Sequence, residues 1–339
     1  MSICLSHLSA DRILEALALE GRELEPASVK DKHTFTANPQ EIDALVNDEF
    51  ALTGEAIDVL VFDSTLARQL PDVNVHVWQA PLPEGALKCI DEGLYISSPE
   101  FCLLQQANEL HLVKLCQMLG RYLSTKVPRI QDDGSTKYID RKPLTSEESL
   151  SAFLRAVGSV KGSAALKEAM RWTCPGAASP QEVNLQLVMT LPPCYGGFGL
   201  KKPVMNYEVE LSPKARELYD REVIRIDLCW PAVHEGLEYQ GKEHGSQLGA
   251  DYARCLAADL HGYRLWYVAA EQLASPAQLD YLARKLARRL RKNLKFAAWP
   301  SLEDVGKLLK ILGGGATTRQ RKLKPWRRPR KPSNKPPET

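Results

Sequence analysis

The sequence predicts an α/β fold: a three-layer domain over residues 172–296, a smaller mixed α/β domain before it and a disordered basic tail after it. Two observations predict this. Between Ser179 and Leu294 the elements run helix, three strands, helix, strand, helix. A meander that gains a further strand after a helix builds a sheet covered on both faces. The stretch 313–339 is rich in Gly, Pro and charge and poor in aliphatic side chains, a composition that buries too little apolar surface to fold.

Taken in order, residues 1–125 read as alternating short helices and strands. SADRILEALALEG is helical and stops at Gly21, while 57–64, 74–80 and 93–97 are strand-like. Ser98-Pro99-Glu100 opens an apolar helix expected to run to about Leu123. No acid, His or Cys constellation in this half suggests chemistry. Residues 126–146 read as a linker, and 147–171 as a connecting helical segment. Ser179 reads as an N-cap, Pro180 as the first helical position and Glu182 as the acid that closes a capping box. Strands are expected at 203–210, 223–230 and 234–241, then a helix over about 247–261 stopped by Gly262. The aromatic run 263–270 is a strand, Ser275-Pro276 starts the last helix of the domain, and 297–312 forms a short helical segment. Trp230 and Trp266 read as core residues.

Chemistry concentrates on two acids. Asp227 lies in VIRIDLCW and Glu238 follows eleven residues later in HEGLEYQG. Acidic side chains at the ends of adjacent strands can hold a hard divalent cation through oxygen. Such a cation polarises a phosphodiester and lowers the pKa of a bound water. Glu182 serves either as a capping acid alone or as a third acid approaching the same site. Asp251 and Arg254, three apart on a helix, either pair on its surface or edge the site.

Ser179-Pro180-x-Glu182, Val223-x-x-Ile226-Asp227-Leu228-x-Trp230-Pro231, Glu238-Tyr239-x-Gly241-x-x-His244, Asp251-x-x-Arg254 and Leu260-x-Gly262-Tyr263 stand here as a set. The set resembles the PD-(D/E)xK, restriction-endonuclease-like superfamily, in the branch similar to very-short-patch-repair endonucleases and to the C-terminal domain of AbiEi-type antitoxins. The resemblance covers about 175–292, and more loosely much of 1–170. It implies a metal-dependent endonuclease that hydrolyses DNA, with Asp227 and Glu238 as ligands of Mg²⁺ or Mn²⁺ and Glu182 assisting. Gln240 stands where the superfamily often has Lys; a neutral amide orients water but brings no charge. Lys242, two residues on along the strand, is a candidate to supply that charge. His244, Asp251 and Arg254 would edge the site. The alternative that the resemblance implies is a non-catalytic, AbiEi-like antitoxin or regulator that binds nucleic acid or a protein partner.

The chain has 339 residues and a net charge of +2, unevenly spread. Residues 313–339 hold nine Lys or Arg against one Glu, and 281–295 hold seven basic residues and no acid. A basic end on an acidic body suits a polyanion such as DNA. In the helix after Ser275, Leu279, Leu282, Leu286, Leu290 and Leu294 share one face. Arg284, Arg288, Arg289, Arg291 and Lys292 cover the others and are expected, with Arg327, Arg328 and Arg330 of the tail, to bind nucleic acid. No run approaches the roughly 18 apolar residues of a membrane span, no secretion signal is evident, and eight scattered cysteines form no C-x-x-C. A cytoplasmic protein without a membrane partner is expected. Glycine-loop and nucleophile-elbow motifs are missing, so nucleotide hydrolysis and serine-hydrolase chemistry are unsupported.

The tail generates a prediction. Deleting residues 313–339 should weaken DNA binding to all sequences alike and flatten the dependence of log K on log salt, measured by anisotropy titrations. An unchanged salt slope would show the tail to be no DNA contact.

Overall fold

A computed structural model describes residues 2–27, 34–38, 40, 42, 56–131, 136–241, 248–290 and 299–313. The chain is mixed α/β and divides after Gln105 into two compact units. No described helix is long and apolar enough to cross a membrane.

The first unit holds β1 (Ile3–Leu5), α1 (His7–Leu19), β2 (Ile57–Val61), β3 (Val73–Val77), β4 (Leu87–Asp91) and β5 (Leu94–Ser97), and leads into α2 (Pro99–Gln106). Its five strands lie in the order β3-β2-β1-β5-β4. The middle strand β1 pairs antiparallel with β2 and parallel with β5, and all three of its side chains are fully buried. A strand enclosed in this way reads as a continuous apolar run, as Ile3-Cys4-Leu5 does. Helix α1 packs on β2 and β5 through Ala10, Ile13, Leu14 and Leu17, the i, i+3, i+4, i+7 stripe of an amphipathic helix.

The second unit begins with α3 (Leu112–Tyr122). The single helix expected from Ser98 to Leu123 is therefore two. It breaks over 107–111, where the imidazole of His111 caps α3 by accepting from the Val113 N–H at 3.4 Å. The stretch read as a linker carries an antiparallel hairpin, β6 (Lys126–Ile130) and β7 (Thr136–Asp140). Two helices follow, α4 (Glu147–Val157) and α5 (Ser163–Trp172), separated at Gly158, whose φ of +74° favours glycine.

From there the order is α6 (Pro180–Thr190), β8 (Val204–Glu210), a short α7 (Pro213–Leu218), β9 (Val223–Trp230), β10 (Glu235–Gln240), α8 (Leu248–Leu260), β11 (Arg264–Ala269), a one-turn α9 (Ala270–Leu273), α10 (Pro276–Arg289) and α11 (Leu302–Gly313). Apart from the short α7 and α9, this is the order of elements read from the sequence. The four strands lie β11-β10-β9-β8, with β10 and β11 parallel and the other neighbours antiparallel. Helix α8 packs on β11, and α6 packs on β9 and β10.

Helix α6 fixes the first site acid. Eight of its eleven residues are buried, so it has no solvent face to set its rotation, and its polar groups must be matched individually. Gln186 Nε2 donates to the Trp172 carbonyl at 2.8 Å and to Thr190 Oγ1 at 2.6 Å, while its Oε1 accepts from the Cys174 N–H at 3.2 Å. On the α3 side, a Cβ at Gly120 would lie 2.5 Å from Val183 Cγ1. Only a glycine there lets α3 approach the turn of α6 that carries Glu182 without displacing it.

Candidate functional site

Three strands loosen around Asp227. The β8–β9 ladder pairs Met205 with Leu228 and Tyr207 with Ile226, stepping over Asn206 and Asp227. Asn206 sits at φ +48°, the left-handed region that Asn enters more readily than most residues. On the other side, the β9–β10 ladder ends at Leu237–Leu228, one step before Glu238 would meet Asp227. There the Tyr239 N–H donates to Asp227 Oδ2 at 2.8 Å, a side chain standing in for a main-chain acceptor.

Glu182 reaches this place from α6. Ser179 Oγ accepts from the Glu182 N–H at 3.1 Å, the N-cap read from the sequence. The return bond differs from a capping box, because Glu182 Oε2 accepts from the N–H of Ala178 at 2.8 Å, one residue before the cap. The same oxygen accepts from Asn206 Nδ2 at 2.8 Å, and that amide also donates to the Gly176 carbonyl. Asn206 thus ties the irregular point of β8 to the first turn of α6. Its role was invisible in the sequence, where nothing marks an Asn inside a strand as left-handed.

Helix α8 supplies the other side. Asp251 and Arg254 do not pair with each other: each reaches β10. Arg254 Nη2 donates to Glu238 Oε1 at 2.7 Å and to the Arg225 carbonyl. Asp251 Oδ2 accepts from Gln240 Nε2 at 2.9 Å. Gln240 and Glu238 are two apart on one strand, and Asp251 and Arg254 three apart on one helix, so the two elements meet through two matched contacts.

Burial and mutual repulsion set the charge of this cluster. Burial pushes the Asp227 carboxyl up to about 7, and the Glu182 charge adds to the shift, against the Tyr239 N–H and Arg254. Burial and then Asp227 raise Glu238 well above the usual carboxylate range despite Arg254. Glu182 is raised by burial, which outweighs its bonds from Ala178 and Asn206. Arg254 lowers the two strand acids and Lys126 lowers Glu182, but burial and mutual repulsion outweigh both, an arrangement that favours proton uptake or another cation. Asp227 Oδ1 and Glu238 Oε2 take no hydrogen bond from any described residue, so each site acid keeps one oxygen for a further partner. As a trio, the acids do not bring their oxygens within 4.8 Å of one another.

Lys242 and His244 lie outside the described residues, as do Arg291, Lys292, Arg327, Arg328 and Arg330. Of the leucine stripe expected on α10, Leu279, Leu286 and Leu290 are buried and Leu282 is half-buried, while Leu294 lies outside the described residues. The cations are less available than the sequence suggested. Arg289 Nε contacts the buried Glu235 at 3.0 Å, whose other oxygen accepts from Trp266 Nε1 at 2.7 Å. Arg284 pairs with Asp280 at 2.8 Å and lies 4.9 Å from the centre of the Trp299 ring. Arg288 is exposed. Two of these three guanidinium groups thus fasten the helix to its neighbours.

The first unit holds a feature that the sequence did not single out. His7 and His76 stack with ring centres 3.5 Å apart, beside the buried Asp58, and each offers a ring nitrogen within 4.8 Å of the other's. These side chains can take part in holding a metal ion. No protein-family model matches the chain, and neither the curated proteins nor the solved structures include a match.

The acid cluster sets a pH dependence. A carboxyl whose folded pKa is raised binds a proton that the unfolded chain has already lost, so stability falls as pH rises through that interval. For Asp227 the interval runs from 3.8 to about 7. In chelator, Asp227→Asn should match the wild type in denaturant stability near pH 4 and exceed it by about 1–3 kcal/mol near pH 8. A difference constant across that range would contradict the raised pKa.

Proposed function

We propose that the chain is a divalent-cation-dependent DNA endonuclease with a three-layer, restriction-endonuclease-like domain, its cation held by Asp227 and Glu238. The observation that carries this reading is the convergence of Glu182, Asp227 and Glu238 on one place, buried, where Arg254 beside the two strand acids and Lys126 acting on Glu182 are too little positive charge to hold the carboxyls in their ordinary range. Carboxylates so enclosed are costly unless a counter-charge is supplied. The donors fit a hard cation: the Asp227 and Glu238 oxygens that accept no hydrogen bond from a described residue are the ligand type that Mg²⁺ and Mn²⁺ prefer. The order α6, β8–β10, α8, β11 and the motif resemblance point to the same class.

A bound divalent cation would polarise the scissile phosphate and make a water acidic enough to attack it. The chain's own residues do the rest. Arg254, anchored by the Arg225 carbonyl and Glu238, fixes a positive charge at the site where Gln240 provides none. Gln240, its amide nitrogen held by Asp251, turns its carbonyl oxygen into an acceptor for a water proton. Asn206 and the Ala178 N–H hold Glu182 in place rather than leaving it free to move. Arg288 at the end of α10, exposed, and the basic residues of the tail sequence would contact the DNA backbone.

One observation favours the second reading, a non-catalytic regulator: the Arg254–Glu238 ion pair gives Glu238 a partner without any metal. An assay separates the two. Single-stranded, double-stranded and mismatched DNA are incubated with Mg²⁺ or Mn²⁺ and wild type, Asp227→Ala or Glu238→Ala. The nuclease reading expects metal-dependent cleavage that falls by at least about 100-fold in either variant, a loss of about 2.7 kcal/mol of transition-state stabilisation. No cleavage of any substrate, with DNA or partner binding intact in all three proteins, assigns the regulator reading.

A further inference from the structure

Beside the acid cluster, β6 and β7 form a two-stranded sheet of their own. A lone hairpin is marginally stable in water and has to be fastened to something. This one is fastened at its root. The Thr125 N–H donates to the Ala177 carbonyl at 3.2 Å, and the Arg141 N–H donates to the Thr125 carbonyl at 2.8 Å. Val127 is buried, and the exposed Tyr138 donates its hydroxyl proton to Gln181 Oε1 at 3.3 Å. Ala177 and Gln181 flank the two groups bonded to Glu182, the Ala178 N–H and the Ser179 hydroxyl. The hairpin therefore stands on the turn that carries the first site acid.

The ladder does not favour the hairpin on its own account. Directly opposite residues share a face, and Arg129 stands opposite Lys137. Like charges so placed repel, and neither forms an ion pair with a described residue. Their face is the one that Val127 buries at the root, yet both are exposed, so the body of the unit does not reach them. On the other face, Lys126 contacts Asp140 at 3.5 Å, a carboxylate 86% exposed, and such a pair contributes little in water. The charge of Lys126 also reaches Glu182, where it opposes the effect of burial. Residues 126–142 hold five basic side chains against three acids, two of which, Asp132 and Asp133, lie outside the described residues. From Lys126 to Arg129 is roughly 10 Å along the strand, the axial rise of about three nucleotides of one duplex strand.

We propose that the β6–β7 hairpin is a phosphate-gripping arm of the acid site, with Lys126 on the phosphate next to the acids and Arg129 and Lys137 on the nucleic-acid backbone beyond it. The inference rests on the nuclease reading for its partner and adds the surface that brings the strand to the acids. A polyanion relieves the repulsion between Arg129 and Lys137, which no described protein group does. Contacts of this kind position a strand without reading its sequence.

The test is binding, measured in chelator so that cleavage plays no part. Fluorescent duplex and single-stranded DNA are titrated with the full chain over a range of salt, by anisotropy. For duplex, the slope of log K against log salt should become shallower by about 2 in Arg129→Gln/Lys137→Gln and by about 1 in Lys126→Gln. Affinity should fall alike for all sequences. Arg155→Gln/Lys167→Gln removes the same charge from exposed positions on α4 and α5 and should leave the slope unchanged. The Arg129/Lys137 variant should melt no lower than the wild type, because a repulsion is removed; a lower melting temperature would mark the pair as structural and overturn the proposal. So would a wild type that binds no DNA, an unchanged slope in the hairpin variants, or an equal loss in the control pair. An unchanged slope with metal-dependent cleavage intact removes the arm alone. Binding through the hairpin without cleavage in Mg²⁺ or Mn²⁺ keeps the arm and removes the nuclease reading.

Discussion

Three buried carboxyls, Glu182, Asp227 and Glu238, with Arg254 beside the two on the strands, are the interaction on which the second unit is arranged. Burying one acid beside a guanidinium is tolerable; burying three leaves a deficit of positive charge that packing cannot remove. The surrounding structure bends to accommodate it. Two ladders open at Asp227, Asn206 takes a left-handed conformation, and a main-chain N–H turns to a side chain. Irregularity of this kind in the middle of a sheet costs hydrogen bonds and strain, and it is concentrated at one place. The helices on either side are then fixed by that place, α6 through Asn206 and Glu182, α8 through Arg254 and Gln240.

Much of this was legible in the sequence because it is local. Strands at 223–230 and 234–241 announce themselves by apolar and β-branched runs broken at Pro231, and β9 and β10 fall within a residue of those bounds. Ser179-Pro180 fixes the start of α6 by cap chemistry that needs no tertiary context. With two adjacent strands placed, the eleven-residue spacing already sets Asp227 against Glu238. The histidine cap at His111 was not legible: apolar spacing on either side continues through it, and only the hydrogen bond to Val113 shows that one helix has ended and another begun. Nor was the hairpin of β6 and β7, whose Gly, Pro and charge content reads as loop.

Contacts between residues distant in sequence are where sequence reasoning stopped. Nothing in the spacing of Asp251 and Arg254 says that each would reach a strand instead of the other. Arg284 and Arg289 look like surface cations on a helical wheel, yet Asp280, Trp299 and Glu235 turn them into fasteners. His7 and His76 lie on a helix start and a strand of different segments, and only the strand order β3-β2-β1 brings them together. Such pairs are set by topology, which composition and periodicity do not encode.

The central claim, that the acid cluster is completed by a divalent cation, is tested most directly by thermal unfolding of the full chain at pH 7 as Mn²⁺ is titrated. Ligand binding to the folded state alone raises the melting temperature with ligand concentration. The account predicts a rise in the wild type that persists in His76→Gln and disappears in Asp227→Asn and Glu238→Gln. A melting temperature indifferent to Mn²⁺, or a rise of equal size in the two acid variants, would contradict it.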